Sequence, residues 1–194
     1  MADPAEKHAS YADIEALPPN VVGEIIFGSL VTHPRPVQWH GAAAGALNVA
    51  LGAPYQFGSG GPGGWVFIPE PELHLGPHVI VPDLGGWLRE RMTEPPSKGW
   101  HEVAPDWVCE ILSPGTERHD KGAKRTIYAT YGVNHLWQVD PRLKSLEVFR
   151  RQDNGWLLTG TFFENDDVNA EPFTELTFPL GRLWPLDPPS TPAT

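Results

Sequence analysis

With 194 residues, 40% hydrophobic and 20% charged, the chain is long enough to bury one proper core and too apolar to stay disordered. Lys+Arg 14 against Asp+Glu 24 leaves a net charge of −10, which argues against a broad basic face that would hold nucleic acid. The apolar run at residues 21–27 is interrupted by Glu24 and has no basic, leader-like segment before it, so no membrane contact and a cytoplasmic location are expected.

Both ends read as tails: residues 1–20 are polar and close on Pro18-Pro19-Asn20, and residues 186–194 hold three prolines. A single domain is expected between them, over residues 21–185. Residues 21–27 and 30–33 are strand-rich, and Gly28-Ser29 between them suits a hairpin turn. Residues 37–51 change to Ala, Leu, Val and Gln behind Pro34 and Pro36, which predicts a helix. Residues 58–64 hold five glycines but lack the lysine and hydroxyl of a phosphate-cradling loop. Residues 65–68, 72–75 and 78–81 read as short strands of a meander, followed by a polar connection over residues 89–105.

Residues 107–112 form the clearest strand, apolar on both faces, and residues 117–131 read as a helix after Ser113-Pro114-Gly115-Thr116. Strands are expected at 135–139, 145–150 and 156–162, with turns at Asp140-Pro141 and Asp153-Asn154-Gly155. The total is a mixed α/β or α+β domain: a central, partly antiparallel sheet flanked by few helices, with additional hairpins. The strand-rich C-terminal half offers an edge through which a homodimer could form. The lone Cys109 cannot make an internal disulfide and reads as a buried thiol, while Trp87, Trp100 and Trp156 look exposed but define no site.

Three carboxylates interrupt or end apolar strands: Glu24, Asp83 and Glu110. Alternation puts Glu110 on one face with Val108 and Leu112, and Trp107, Cys109 and Ile111 on the other. An ionised acid in such a strand is costly unless it is paired or binds a cation. Each acid alone has a plain structural explanation as a cap, an edge residue or an ion-pair partner. Together they would repel unless a hard cation such as Mg²⁺ or Mn²⁺ held them, whereas the eight histidines show no zinc spacing. Lys121, Lys124 and Tyr128 fall on one face of the expected helix; the competing reading has Ala123, Ile127 and Tyr131 packed inward and the lysines solvated. Basic residues also gather at Arg118, Lys121, Lys124 and Arg125, and at Arg142, Lys144, Arg150 and Arg151.

Val81-Pro82-Asp83, Pro105-Asp106-Trp107-Val108-Cys109-Glu110-Ile111-Leu112-Ser113-Pro114, residues 120–128, Tyr131-Gly132-Val133 and Trp137-Gln138-Val139-Asp140-Pro141 together resemble the Uma2 family, also called DUF820. That family belongs to the PD-(D/E)xK, restriction-endonuclease-like proteins, and the resemblance covers roughly residues 20–162. It implies a Mg²⁺-dependent (or Mn²⁺-dependent) endonuclease acting on DNA. Asp83 matches the first metal-binding acid and Glu110 the second, with the Ile111 backbone carbonyl as a further metal ligand. Lys124 matches the catalytic lysine, moved to the next helix, since Leu112 stands where the superfamily pattern has it. Glu24 matches an early acid and His40 a recurring position, while Tyr128 and Lys121 are supporting residues. The implied chemistry is metal-assisted phosphodiester hydrolysis in which Lys124 orients the attacking water or stabilises the pentavalent charge.

Two other readings stand beside it. A nuclease fold can serve as a catalytically silent binding or scaffold module, for which the charge of −10 is a supporting feature. A metal-dependent hydrolase of a small phosphorylated molecule would also suit an acidic surface.

Overall fold

In the computed structural model, which describes residues 8–34, 38–92 and 98–186, the organising element is a six-stranded sheet. The chain opens with a short helix, α1 (Tyr11–Glu15), and then pairs β1 (Val21–Ile26) with β2 (Ser29–Pro34). The hairpin register joins Ile26 to Ser29, so Phe27 and Gly28 form its two-residue turn, one position earlier than expected. Both have positive φ, 48° and 78°, as the twist of a tight hairpin requires. Helix α2 (Gln38–Leu51) follows and runs on into a π turn over Gly52–Gln56.

Next come β3 (Trp65–Pro69), β4 (Leu73–Leu75), β5 (His78–Ile80) and β6 (Leu84–Leu88). They form no simple meander. β4 and β5 complete a four-stranded antiparallel sheet in the order β2-β1-β5-β4, whereas β3 and β6 join the large sheet. The strand β6 escapes a reading by hydrophobic alternation because its centre is Gly85-Gly86. The polar connection ends before β7 (Trp107–Ile111), with residues 93–97 outside the described part.

The helical segment after β7 is two helices, α3 (Glu117–Lys121) and α4 (Ala123–Thr130), broken at Gly122. There the backbone turns to φ −111° and ψ −96°, and a Cβ would stand 2.9 Å from the Arg118 carbonyl oxygen. The chain then forms β8 (His135–Asp140), β9 (Ser145–Gln152), β10 (Gly155–Phe163), β11 (Asp167–Val168) and β12 (Phe178–Pro179). The large sheet runs β10-β9-β8-β7-β6-β3, antiparallel except at β7–β8, where α3 and α4 make the crossover between parallel strands. This is the expected mixed sheet with few helices and added hairpins.

Two cores lie on opposite faces of that sheet, and the alternation of β7 assigns residues to them. Trp107, Cys109 and Ile111 face α2, whose Ala43, Leu47 and Leu51 recur one turn apart as its buried stripe, and the C-terminal Phe173, Leu180 and Leu183 close this layer. Val108 faces the other core, built from α4 (Ile127, Tyr128) and the small sheet (Ile26, Leu73, Ile80). Glu110 is on that second face, beneath α4. Cys109 is buried, as expected, and so is Trp87, which contradicts its reading as exposed.

The expected N-terminal tail differs from the structure in part. Residues 1–7 lie outside the described part, but α1 is docked: Ala9 N–H donates to the Gly28 carbonyl (2.8 Å), and Tyr11 donates to Glu72 (2.9 Å). Of the expected C-terminal tail, residues 187–194 lie outside the described residues. Among the described residues no helix is long and apolar enough to cross a membrane.

Candidate active site

Four elements bring the site together. β1 contributes Glu24, the turn between β5 and β6 Asp83, β7 Glu110, and the α3–α4 crossover Asp120, Lys124 and Tyr128. Lys124, Ile127 and Tyr128 are spaced three and four apart, so α4 turns all three inward over β7. The alternative with solvated lysines and an inward 123/127/131 stripe is overturned for Lys124, which is only 3% exposed. Lys121, on the far side of the Gly122 break, instead pairs with Glu117 at 2.8 Å and does not join the cluster.

Lys124 Nζ lies 3.0 Å from Glu24 Oε1, 3.2 Å from Glu110 Oε1 and 3.3 Å from Asp120 Oδ1, and it donates to the Val81 carbonyl at 3.3 Å. Glu24, Glu110 and Asp120 are buried, so three carboxylates surround one ammonium away from water. Glu24 also accepts the Val81 N–H (2.8 Å), and His33 Nε2 stands 3.7 Å from its other oxygen. Tyr128 donates to Glu110 Oε1 at 2.5 Å. Asp120 Oδ1, though close to Lys124, has no hydrogen bond of good geometry. The Asp120 carbonyl is held by Gln138 Nε2 (2.9 Å), and Arg125 donates to the Gln138 side-chain oxygen.

These contacts set the protonation pattern. Burial by itself would raise the Glu24 carboxyl, but Lys124, His33 and the Val81 N–H outweigh it and hold the group at about 2. Burial pushes Glu110 well above the carboxylate range; Lys124 opposes this only in part, and Asp120 and Asp83 add to it. Burial also raises Asp120. For Lys124, burial disfavours the charge, yet Glu110, Glu24, Tyr128 and Asp120 together hold the ammonium well above its ordinary range. The cluster is thus a fixed cation, a fixed anion at Glu24, and two acids drawn toward their protonated forms by burial and crowding.

Asp83 stands apart from Lys124 but is tied to the same strand. Its Oδ2 accepts the Ile111 N–H at 2.7 Å, and its Oδ1 lies 3.1 Å from His40 Nε2. His40 is in the first turn of α2 and is a shared wall of two cavities. One, of about 390 Å³, reaches Asp83 and is lined by Asn48, Pro69 and Glu70 among others. The other, of about 370 Å³, opens beside Leu112 and Pro114. Asp83, Glu110, Lys124, Glu24, His40 and Tyr128 are therefore gathered around β7, while Lys121 is not. Sequence reading assigns no role to Asp120 or Gln138, although both fall inside the stretches that carry the family resemblance and Asp120 stands four before Lys124.

The sequence profile of the Uma2 family, described as “putative restriction endonuclease”, matches residues 9–181. The chain belongs to the Uma2 family. A crystal structure of a “putative nuclease belonging to DUF820” from Anabaena variabilis ATCC 29413 superposes with a TM-score of 0.66, at 22% identity, over 84% of this chain and 89% of that one. At that identity the likeness establishes the fold: this Uma2 chain has the restriction-endonuclease-like architecture. No curated protein matches it. The family match begins within the segment read as a tail, in keeping with the docked α1 of the Uma2 chain.

Proposed function

We propose that the protein is a divalent-metal-dependent endonuclease that hydrolyses phosphodiester bonds of DNA at the site formed by Asp83, Glu110 and Lys124, with Glu24 as a further acid. The observation that carries this reading is the buried cluster in which Glu24, Glu110 and Asp120 converge on Lys124, one residue along β7 from the N–H that holds Asp83.

The residues fit a hard cation by charge and donor type. One ammonium faces three buried carboxylates, an Asp120 oxygen lacks a hydrogen bond, and burial and crowding push Glu110 toward protonation. Oxygen-only donors of this kind select Mg²⁺ or Mn²⁺. Among the described residues no three of His, Cys, Asp and Glu stand ready as a complete ligand set, so the fit is one of chemistry and not of a preformed cage. Asp83, Glu110 and the Ile111 backbone carbonyl would hold the ion, which supplies phosphate polarisation and a more acidic water.

The chain's own groups do the rest. Glu24 and the Val81 carbonyl anchor Lys124 so that its ammonium points at Glu110, where it orients the attacking water or meets charge developing on the phosphate. Tyr128 holds the Glu110 carboxyl in place, and His40 with the Ile111 N–H fixes the rotamer of Asp83. The net charge of −10 favours one second reading, hydrolysis of a small phosphorylated molecule that needs no wide basic face.

The test is calorimetric titration of Mn²⁺ into the wild type, Asp83→Ala and Glu110→Ala, followed by plasmid cleavage with Lys124→Ala as control. Saturable binding lost in both variants, with Mn²⁺-dependent nicking lost in all three, is expected. Equal Mn²⁺ uptake by wild type and variants would overturn the metal site. Metal binding with turnover of small phosphodiesters but not of DNA would select the second reading.

A further inference from the structure

The cavity on the far side of His40 differs in character from the acidic cluster. It has a volume of about 370 Å³, and its walls include Trp39, His40, Leu112, Ser113, Pro114 and Pro141, with Arg142 at one side. Most of this lining is apolar. Trp39 precedes His40 in the first turn of α2 and keeps 51% of its surface exposed, an unusual cost for an indole unless something covers it. Leu112 directly follows β7, and His40, which lines the cavity, lies 3.1 Å from Asp83 Oδ1, so the cavity adjoins the Asp83 side of the site.

Among the described residues the one arginine or lysine in the wall, Arg142, is already neutralised. Arg142 Nη2 lies 2.8 Å from Asp140 Oδ2 and 2.7 Å from Glu117 Oε2. The cavity is thus poorly suited to capture a phosphate, and well suited to a flat, uncharged ring between an indole, proline rings and a compensated guanidinium.

We propose that this cavity binds a nucleobase of the strand whose phosphate lies at the proposed metal site beside Asp83, by stacking on Trp39. The proposal rests on the nuclease reading and deepens it by naming the substrate class. A base inside a recessed cavity cannot keep both neighbours of a duplex stack, so the substrate is a single-stranded or locally unpaired segment. The charge balance fits that assignment. With −10 overall, phosphate neutralisation contributes little affinity, and sequence-tolerant stacking on an aromatic side chain takes its place.

The experiment is fluorescence anisotropy of a labelled short oligodeoxythymidine with the full chain in EDTA, which prevents divalent-dependent cleavage of the probe, and again in Mn²⁺. An abasic strand of equal length and a blunt duplex serve as competitors. The wild type is expected to bind the oligodeoxythymidine about ten-fold or more tightly than the abasic strand or the duplex. Trp39→Ala is expected to fall to the abasic level with an unchanged melting temperature, and Trp39→Phe to retain most of the affinity. Equal binding of normal and abasic strands, duplex bound as tightly as single strand, an unaffected Trp39→Ala, or no binding in either buffer would each overturn the proposal. Failure here leaves Mn²⁺ uptake through Asp83 and Glu110 untouched. Failure of the nuclease reading instead removes that uptake from the wild type, while base-dependent binding to Trp39 stays measurable.

Discussion

The Lys124 ammonium stands 3.0 Å from Glu24 Oε1, with both groups buried, so that α4 and β1 are joined by an ion pair inside the second core. Breaking a buried pair by removing one partner leaves an uncompensated charge, which costs about 3–5 kcal/mol. Lys124→Met is expected to lower stability by about that amount in EDTA, measured by urea unfolding, because Glu24, Glu110 and Asp120 lose their shared counter-charge. Added Mn²⁺ should restore more stability to this variant than it adds to the wild type, since the acid excess is larger. An unchanged unfolding midpoint in EDTA would show that the acids simply take up protons and that the pair does not fasten α4 to β1.

The same pair fixes a pH dependence. Glu24 is held at about 2 against an ordinary 4.5, so its contribution is fully present above pH 4.5 and is lost as pH falls toward about 2. That lowering corresponds to on the order of 3 kcal/mol at neutral pH. Glu110 and Asp120 act with the opposite sign, since raised carboxyls favour the folded state at acid pH and lose that contribution as pH rises through their shifted range. In EDTA, Glu24→Gln is therefore expected to be clearly less stable than wild type at pH 7 and nearly equal to it at pH 2. A constant difference across that window would mean that the Glu24 carboxyl is not the group that titrates.

Tyr128 is fully buried and donates to Glu110 at 2.5 Å. Tyr128→Phe keeps the ring and removes the donor, which is expected to cost about 1–2 kcal/mol in stability. Mn²⁺ binding should persist with the same stoichiometry, because the hydroxyl supports Glu110 from behind. Complete loss of Mn²⁺ binding in this variant would move Tyr128 into the ligand set itself.

His40 touches Asp83 at 3.1 Å, on the oxygen that the Ile111 N–H does not hold. Outer groups of this kind typically change metal affinity by about ten-fold or more when removed. His40→Ala is expected to weaken Mn²⁺ binding by about ten-fold in calorimetry while leaving the fold intact, because the histidine, though buried, forms the wall of two cavities in the first turn of α2. Unchanged affinity would mean that Asp83 is oriented by the Ile111 N–H alone.

Much of this arrangement is legible in the amino-acid sequence. The alternation of residues 107–112 places Glu110 opposite Trp107, Cys109 and Ile111, and the sheet faces divide along that line, since period-two geometry leaves a strand no other choice. Helix α2 is readable from its composition, within a residue of its observed start. The α3–α4 break is not, because a single glycine within a helical pattern is ordinarily tolerated; the broken backbone admits only glycine there, since a Cβ would stand 2.9 Å from the Arg118 carbonyl oxygen. Strand β6 stays hidden because Gly85-Gly86 carry no side chain to alternate, although their backbone pairs with both β3 and β7.

The sequence by itself determined which residues are chemically out of place: acids set in apolar strands, and a lysine and tyrosine one turn apart on a helix. Those are statements about local periodicity and solvation, and they hold whatever the chain does elsewhere. Only the tertiary structure decided which of them meet. Glu24, Asp83 and Glu110 come from two different sheets and the turn between them, Asp120 enters because α3 ends where α4 begins, and Lys121 leaves because Gly122 rotates it away. Contacts between residues far apart in the chain depend on strand order and on the layer that covers each sheet face, and local sequence pattern encodes neither.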